Sequence, residues 1–326
     1  MTIRWGILGA AKFALNHMAP AIHAARGAEL AALASSAPEK AEAFRAFAPG
    51  LRLHDSYDAL LADPGIDAVY IPLPNHLHLE WSLKAIAAGK HVLTEKPMTL
   101  KAAEFDQLIA ARDASGLVVA EAYMIVHHPQ WQKVRDLIAG GAIGRITHVD
   151  TAFSFDNGAE PGNIRNRPET AGGGIRDIGV YTYGSVRFAA QAEPGKLQAR
   201  IRHENGVDVW AQVVGEMVGP QGGFTYSAIT SMRLFPRQEV VFQGETGLIR
   251  LTAPFNAGLF GEAQVELHRA GATSELFRYP AVNQYVLQVE AFGRSVAEGV
   301  PYGCPLEFSR GTQAMIDTVF AVAEAI

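Results

Sequence analysis

The sequence contains a single cysteine, Cys304, among its 326 residues. An intrachain disulfide needs two cysteines and a cysteine-based zinc cluster needs several, so the sequence excludes both. Cysteine usage of this kind is typical of a reducing compartment, and we expect a cytoplasmic protein. The 11 histidines show no His-Glu-x-x-His spacing, and we therefore expect no metal ion.

Basic residues are not in excess, because 28 Lys and Arg residues stand against 33 Asp and Glu residues. Nucleic acids and anionic membrane surfaces are usually bound by a basic face, and the net charge of -5 argues against both partners. Long apolar runs are also missing, since no stretch approaches the ~18 residues of a membrane span. The apolar run near Met1 is too short for a signal peptide. We expect a small polar substrate instead.

The first 122 residues show a regular alternation. Short apolar runs alternate with longer alanine-rich stretches, which predicts βαβ units around a parallel sheet. The clearest helix covers residues 77–88 and ends at Gly89, and the next helix ends at Gly116. Residues 1–122 are therefore predicted to form an α/β domain of the Rossmann type. Its predicted strands cover residues 3–8, 29–35, 68–72, 91–94 and 117–121.

The remaining residues, 123–326, follow a different pattern. Val149, Thr151, Phe153 and Phe155 alternate with smaller or polar residues, which predicts a strand with one buried face. Further strands follow closely and are joined by glycine-rich turns, so we expect an α+β domain with an open, mostly antiparallel sheet. These strands cover residues 207–214, 224–234, 239–242, 247–252 and 264–269, and the helices cover residues 174–190, 284–298 and 305–326.

The segment after the first strand has the context of a dinucleotide-binding turn, because it links a strand to a helix. Gly9 permits the tight turn, whereas Ala11 and Ala14 stand where the fingerprint has glycine. A plain strand-to-helix turn is an equally good interpretation of the turn alone. Its position at the start of a βαβ pattern favours nucleotide binding. The predicted cofactor contacts in this turn are Gly9, Ala10, Ala11, Lys12 and Phe13.

The end of the second strand bears on the choice between NAD and NADP. An NAD site expects an acidic residue there for the ribose 2'-hydroxyl, but the sequence has Ser35 and Ser36. Hydroxyls with a nearby lysine accept a 2'-phosphate that a carboxylate would repel. This favours NADP, with NAD as the alternative. In another interpretation, Ser35 and Ser36 only cap a helix that begins near Pro38.

Two further segments lie where parallel strands end, which is the edge at which open α/β sheets bind ligands. They are residues 71–78 and the run Glu95, Lys96 and Pro97. With these segments the sequence resembles, over essentially its whole length, the glucose-fructose oxidoreductase, inositol dehydrogenase and MocA family (Gfo/Idh/MocA). The runs that carry the resemblance are Gly9-Ala10-Ala11, Tyr57 with Ala59-Leu60-Leu61, Asp67-Ala68-Val69-Tyr70, Pro74-Asn75-His76, Gly89-Lys90-His91-Val92, Glu95-Lys96-Pro97 and Gly172-Gly173-Gly174.

Within this family, residues 121–124 and 127–130 are most similar to the branch of xylose-type sugar dehydrogenases and dimeric dihydrodiol dehydrogenases. The resemblance implies hydride transfer between a nicotinamide and a hydroxyl or carbonyl carbon of a sugar, polyol or vicinal diol. It also implies a substrate site in the cleft between the two domains. Two alternatives stay open. One is an inactive cofactor-binding sensor or regulator, and the other is a lyase or hydrolase that uses bound NAD as a transient oxidant.

The resemblance places Lys96 beside the nicotinamide and the reacting hydroxyl, where its charge assists loss of the O–H proton. Asp177 and Tyr181 take the family's carboxylate and acid/base positions, one helical turn apart. A free tyrosine has a pKa of about 10 and an adjacent ammonium lowers it, so proton transfer is assigned to Tyr181. The alternatives are a surface Lys96 paired with Glu95, and a buried Tyr181 with Asp177 as a helix cap.

The other assignments concern binding. Lys40 and Tyr57 match residues near the adenosine 2'-phosphate in NADP-using relatives, and Asn75 and His76 are expected to contact the ribose or the nicotinamide. Arg165 is expected to clamp a substrate hydroxyl, with a solvated loop as the alternative. The other residues predicted to contact the cofactor are Pro72, Leu73, Glu95 and His78, and a structural role is the alternative for His78. Tyr123 is also predicted to contact the substrate.

The open sheet of the second domain also bears on assembly. A broad exposed sheet face is an unusual apolar patch for a monomer, so we expect a homodimer or a homotetramer. Residues 123–326 are thus expected to bind the substrate and to form the subunit contacts, while residues 1–122 bind the cofactor.

Overall fold

The computed structural model describes residues 1–35 and 37–326. These residues form two compact units, and each unit combines two stretches of the chain. Unit 1 comprises Met1–Met124 and Asn283–Arg310, and unit 2 comprises Ile125–Val282 and Gly311–Ile326. The interval 123–326 therefore contributes to both units, since its segment Asn283–Arg310 returns to unit 1.

Six parallel strands form the sheet of unit 1: β1 (Ile3–Leu8), β2 (Ala28–Ala34), β3 (Arg52–His54), β4 (Ala68–Ile71), β5 (His91–Thr94) and β6 (Val119–Glu121). Their order across the sheet is β3-β2-β1-β4-β5-β6. The order reverses between β1 and β4, and sheets of this type bind ligands at that switch point, outside the carboxyl ends of the strands. The predicted Rossmann domain with a parallel sheet is confirmed.

The apolar character of these strands follows from their burial. Trp5 and Ile7 of β1 and Val69 of β4 have no exposed surface, as expected for a parallel sheet that helices cover on both faces. The connecting helices are a π turn (Ala14–Met18) followed by α1 (Ala19–Ala24), α2 (Pro38–Arg45), α3 (Tyr57–Leu61), α4 (His78–Ala87) and α5 (Phe105–Ser115). Gly89 and Gly116 follow α4 and α5 with positive φ, as predicted.

Unit 2 is built on nine strands, of which the first is β7 (Ile146–Asp156). The other strands are β8 (Glu193–Glu204), β9 (Val207–Gly219), β10 (Gly222–Ser231), β11 (Arg233–Gly244), β12 (Gly247–Leu251), β13 (Ala263–Arg269), β14 (Thr273–Tyr279) and β15 (Ala323–Ala325). Their order is β14-β13-β12-β11-β7-β10-β9-β8-β15, and only the pairs β7–β10 and β8–β15 are parallel among the described residues. The predicted α+β fold with a mostly antiparallel sheet is confirmed.

The helices of unit 2 are α6 (Pro129–Ala139), a π turn (Ile175–Gly179) and α7 (Val180–Ala190), which follows the π turn directly. The last two helices of the chain are α8 (Gln284–Glu298), which belongs to unit 1, and α9 (Leu306–Val322). Within residues 1–35 and 37–326, none of the helices has the length and apolarity that crossing a membrane requires.

Strand β7 departs from the prediction of one buried face. Ala152 and Ser154 are also buried, and Ser154 lies beside the register shift of β11 between Arg233 and Arg237. The Ser154 hydroxyl donates to the Phe235 carbonyl at 2.7 Å, which satisfies the buried group.

The outward surface of the sheet is only partly apolar. Val214 and Val218 of β9 are exposed, but strands β11, β12 and β13, on the other side of β7 and β10, carry a charged ladder. In this ladder Arg250 donates to Glu239 at 2.6 Å and to Glu266 at 3.4 Å. The expected dimer or tetramer therefore stays a prediction.

Candidate functional site

The turn after β1 is closely packed and requires glycine. Gly9 has a φ of 106°, in the region that favours glycine, and its N–H donates to the Ala34 carbonyl at the end of β2 (2.9 Å). A Cβ at Gly9 would lie 3.1 Å from Leu73 Cδ2 and 3.4 Å from Tyr57 Oη. The structure thus brings together Gly9, Tyr57 and Leu73, three of the predicted cofactor residues, at the carboxyl edge of the sheet.

The helix that follows Gly9 is irregular in its first turns, because the π turn Ala14–Met18 precedes α1. Such turns are rare and are often found at functional sites. The Phe13 ring packs against Tyr285 with 5.7 Å between the ring centroids, which fixes the start of the helix. Lys12 of this turn is exposed, and Ala10, Ala11 and Phe13 are partly exposed. A helix start with accessible backbone N–H groups fits the pyrophosphate of a dinucleotide.

The end of β2 shows what Ser35 does. Its N–H donates to the His54 carbonyl (3.1 Å), and its hydroxyl both accepts the Ala37 N–H (3.1 Å) and donates to the Ala37 carbonyl (3.2 Å). Both hydroxyl bonds go to Ala37, the N-cap of α2, and not to an N–H group inside the helix, so Ser35 does not make the bond that the capping interpretation expects. Ser36 lies outside the described residues, and Lys40 is exposed on α2. The roles of these residues toward a 2'-phosphate stay predictions.

His78, at the start of α4, connects the loops that follow β4 and β5. Its Nε2 lies 2.6 Å from the Leu73 carbonyl oxygen and its Nδ1 lies 2.8 Å from the Pro97 carbonyl oxygen. The side chain is 1% exposed, and burial lowers its pKa to about 4 although both carbonyls favour the proton. The structure favours the structural alternative for His78, because a residue so buried holds the loops together.

The loop between β4 and α4 presents the other residues predicted for the cofactor. Asn75 begins a 3-10 turn, Asn75–Leu77, and His76 in this turn is exposed. Pro72 precedes them and is partly exposed. These three residues therefore lie at the carboxyl edge of β4, beside the Gly9 turn.

Two acidic side chains surround the position of Lys96. Glu95 accepts the Tyr70 hydroxyl at 2.6 Å and the Lys96 N–H at 3.3 Å. Burial raises the pKa of Glu95, and the charge of Lys96 opposes this rise. Glu95 therefore bonds to the protein itself, and its predicted contact with a cofactor is not evident from these bonds.

The second acidic side chain, Glu121 at the end of β6, is missing from the predicted site. It is 4% exposed and accepts the Met98 N–H at 2.8 Å and the Ser309 hydroxyl. Burial raises its pKa, while the charge of Lys96 again lowers it. A charged residue at the end of an otherwise apolar strand was the signal in the sequence. Glu121 thus holds the backbone that follows Lys96 and Pro97.

In unit 2, the run of three glycines at residues 172–174 forms a turn that leaves no room for side chains. A Cβ at Gly172 would lie 2.5 Å from the Arg165 carbonyl oxygen. Gly173 has a φ of 115°, and the Asp208 carboxylate occupies the space where its Cβ would stand. Asp208 is a second residue that the sequence analysis missed, although an acid in the buried strand β9 is an unusual feature.

This turn leads into the helix that carries Asp177 and Tyr181. Asp177 lies in the π turn Ile175–Gly179 and accepts Arg165 Nε at 2.6 Å, so the structure brings two predicted substrate residues together. Tyr181 follows in α7, and the predicted spacing of one helical turn between the two residues, now across the end of the π turn, stays a prediction. Tyr181 is 5% exposed and packs against Phe153, with 5.8 Å between the ring centroids.

Tyr123, the remaining predicted substrate residue, belongs to the core of unit 1. It is 1% exposed and its ring packs against Phe308, with 6.2 Å between centroids. A search of the described part of the chain finds no group of three or more His, Cys, Asp or Glu side chains that could hold a metal ion.

Comparison with known proteins adds to this geometry. The model of the Gfo/Idh/MocA oxidoreductase family with an NAD-binding Rossmann fold matches residues 3–123, and the family's C-terminal domain model matches residues 131–250. An uncharacterized oxidoreductase, ORF334 of Rhizobium meliloti, is 36% identical over 99% of this chain and 97% of its own length. A D-xylose 1-dehydrogenase (NADP(+)) of Haloferax volcanii is 31% identical over 98% of this chain and 97% of its own.

Among solved structures, a 3-ketoreductase from Actinomadura kijaniata in complex with NADP and TDP-benzene superposes with a TM-score of 0.90. It is 31% identical, and the match covers 100% of this chain and 99% of that one. The same ketoreductase has been solved with one lysine replaced by alanine or glutamate and with one tyrosine replaced by phenylalanine.

Proposed function

Because the chain belongs to the Gfo/Idh/MocA family of oxidoreductases, we propose that it transfers hydride between NADP and a carbon of a sugar, polyol or diol. The chain is a nicotinamide-dependent oxidoreductase acting on CH–OH groups, as its family and its Rossmann sheet require. The proposal adds the substrate class, the preference for NADP and the residues that act. The observation that carries it is the position of Lys96 just after the carboxyl end of β5, where its charge lowers the pKa of both Glu95 and Glu121 against the effect of burial.

Unit 1 is proposed to bind the cofactor through the Gly9 turn and the loop Asn75–Leu77. When bound, the nicotinamide supplies or accepts the hydride. The end of β2 has Ser35 where an NAD site has a carboxylate, which supports a preference for NADP over NAD. The NADP-dependent xylose dehydrogenase and the ketoreductase bound to NADP support the same preference. Lys40 is proposed to pair with the 2'-phosphate from its exposed place on α2.

Lys96 and Tyr181 are proposed to handle the proton. In the direction of oxidation, the phenolate form of Tyr181 accepts the O–H proton as the carbon loses hydride, and in the direction of reduction the phenol form returns the proton to the oxygen. The Lys96 ammonium stabilises the oxyanion character of the substrate and of Tyr181. The ketoreductase variants at a lysine and at a tyrosine support the choice of these two residue types.

The pair Arg165 and Asp177 is proposed to orient the substrate. Asp177 Oδ2 accepts from Arg165 Nε at 2.6 Å, and a carboxylate oriented in this way is a suitable acceptor for a sugar hydroxyl. A charge-assisted hydrogen bond of this kind selects polyhydroxylated substrates over simple alcohols. Unit 2 would thus supply the substrate specificity of the enzyme.

A panel of aldoses, polyols, vicinal diols and nucleotide-linked keto sugars, each with NADP and with NAD, tests the proposal by the absorbance of reduced nicotinamide. We expect turnover with at least one sugar and a higher kcat/KM with NADP. Cofactor binding without turnover of any compound would favour a sensor. Product formation without any net change in nicotinamide would favour a lyase or hydrolase.

The finer properties of location and assembly are part of the same proposal. We propose that the protein is cytoplasmic, which its single cysteine supports. We also propose that it forms a homodimer or a homotetramer, which the exposed apolar residues Val214, Val218 and Phe235 of the sheet support. Light scattering after size-exclusion chromatography measures the mass directly. A mass of one chain, 35.0 kDa, would contradict the assembly.

A further inference from the structure

Asp208 of β9 is buried against the start of the helix that carries Asp177 and Tyr181. Its Oδ2 accepts the Ile175 N–H at 2.6 Å, and only 4% of the residue is exposed. Its Oδ1 fills the space beside Gly173, so any side chain at position 173 would collide with the carboxylate. The glycine and the carboxylate therefore fit each other as a pair.

We propose that Asp208 is a positioning residue that fixes the Arg165–Asp177 pair and the start of the π turn that leads into α7. Asp208 bonds to the backbone of the turn, so it acts through Asp177 and Tyr181 rather than on the reacting atoms. The inference rests on the proposed roles of these two residues in substrate binding and proton transfer.

A short series of hydrogen bonds links Asp208 to the pair. The Gly173 N–H donates to the Arg165 carbonyl at 2.9 Å, and the Asp177 N–H donates to the Gly173 carbonyl at 3.2 Å. Arg165 Nε then donates to Asp177 Oδ2 at 2.6 Å, which closes the series. Because both members of the pair bond to Gly173, a displacement of Gly173 moves both of them.

The presence of a carboxylate at position 208 supports the positioning role. Burial raises the pKa of Asp208 to about 7, so the folded protein disfavours the charged form. The N–H groups of Ile175 and Gly174 and the charge of Arg176 oppose this rise. A neutral packing residue would avoid the desolvation, but it would leave these N–H groups at the helix start without their acceptor.

The variants Asp208→Asn and Asp208→Ala test the proposal in the full-length enzyme, with Asp136→Asn on the exposed surface of α6 as the matched control. Asparagine keeps the shape and an acceptor oxygen, whereas alanine removes both. We expect Asp208→Ala to lower kcat/KM for the sugar about 100-fold, as misplaced catalytic groups do, and Asp208→Asn to restore much of this loss. NADP affinity, measured by fluorescence titration, should change less than about twofold in all variants.

A double-mutant comparison tests the fit between Asp208 and Gly173. Gly173→Ala alone should lower kcat strongly because its methyl group meets the carboxylate. In the Asp208→Ala background the same change should cost clearly less, since the collision is gone. Additive effects on kcat would overturn the proposed coupling. Circular dichroism of each variant separates misfolding from misplacement, and Asp208→Asn keeps the test valid if Asp208→Ala does not fold.

The outcomes distinguish this inference from the proposed function. If Tyr181→Phe retains full activity, the proposed proton transfer is wrong whatever Asp208 does. If Tyr181→Phe is inactive while both Asp208 variants behave as Asp136→Asn does, only the positioning role is wrong. A loss of NADP affinity in Asp208→Ala equal to its loss of kcat/KM would also overturn the positioning role, because it would indicate general damage.

Discussion

The imidazole Nδ1 of His78 lies 2.8 Å from the carbonyl oxygen of Pro97, the residue that follows Lys96. Through its Nε2 the same ring lies 2.6 Å from the Leu73 carbonyl oxygen. A neutral imidazole has one N–H and can donate to only one of these carbonyls, whereas the charged form can donate to both. Burial is the larger effect and keeps the ring neutral near pH 7.

This burial predicts an acid dependence of stability. The pKa of His78 is about 4 in the folded protein, and an exposed histidine has a pKa of about 6.5. Between these pH values the unfolded chain binds the proton and the folded chain does not, so acidification favours unfolding. We expect the contribution of His78 to the free energy of unfolding to fall by up to about 3 kcal/mol from pH 7 to pH 4.

Urea denaturation of the wild type and of His78→Gln across this pH range measures the difference. The variant should lose less stability on acidification than the wild type, while the exposed control His23→Gln should follow the wild type. Comparison with the wild type also removes the parallel contribution of His128, whose pKa burial lowers to about 4 as well. Equal acid dependence in all three proteins would contradict the prediction, because it would show that the pKa of His78 is the same in the folded and the unfolded chain.

Replacement of Lys96 is the most direct test of the catalytic assignment. Lys96→Met keeps the length of the side chain and removes its charge, so we expect kcat to fall at least about 100-fold with little change in NADP affinity. Lys84→Met, at an exposed position on α4 where Lys84 pairs with Glu80, is the matched control and should leave kcat unchanged. Steady-state rates and fluorescence titration provide both readouts.

The same variant also tests whether Lys96 and Tyr181 act on one substrate. The effects on kcat of residues that act as a unit are not additive. We therefore expect kcat of the double variant, Lys96→Met with Tyr181→Phe, to lie within about threefold of kcat of the slower single variant. Multiplication of the two losses would mean that they act independently. That result would separate the lysine of unit 1 from the tyrosine of unit 2.

Glu121 is expected to support Lys96 through the backbone. Glu121→Ala removes the acceptor of the Met98 N–H and should cost about 1 to 3 kcal/mol of stability, because a buried donor loses its partner. Glu121→Gln keeps an acceptor and should be nearly as stable as the wild type, but it removes the carboxyl group that interacts with Lys96 and should lower kcat. Thermal unfolding together with kcat separates the two roles. If both variants lose stability and activity equally, the interaction of the Glu121 carboxyl with Lys96 has no separate role in catalysis.

Much of the fold was predictable because its signals are local. The strands β1, β2, β4 and β5 are apolar runs bounded by turns, and their predicted and observed bounds agree within a residue. Strand β3 has three residues, too few for a period to show. Strand β14 is mostly exposed at the edge of its sheet and lacks an apolar alternation. The return of Asn283–Arg310 to unit 1 depends on contacts far apart in sequence, which no local pattern reveals.

The residues of the site were predictable where the residue type at a single position indicates its chemistry or its backbone conformation. Gly9 and Gly173 have positive φ and close neighbours, so only a residue without a Cβ fits there, and the glycine is visible in the sequence. The roles of Glu121 and Asp208 were missed because each bonds to backbone groups that only the tertiary fold brings near. Tyr123 was assigned to the substrate by resemblance, and only packing shows that its ring is enclosed in unit 1.

Gly9 provides the sharpest test of the cofactor turn. Gly9→Val places a branched side chain at a φ of 106°, where its Cβ meets Leu73 and Tyr57, so the turn must move. We expect NADP affinity to fall at least about tenfold, the effect of about 1.4 kcal/mol, in fluorescence titrations.

The matched control for this test is Gly89→Val, which places the same side chain at a φ of 74° with no atom within 4 Å of its Cβ. Gly89 follows α4, away from the carboxyl ends of the strands, so its variant should lose stability through backbone strain and keep its NADP affinity. If Gly9→Val does not fold, Gly9→Ala gives the same comparison with a smaller group. Equal NADP affinity in the Gly9 and Gly89 variants would mean that the cofactor is held elsewhere in unit 1, because the turn at Gly9 could then move without consequence.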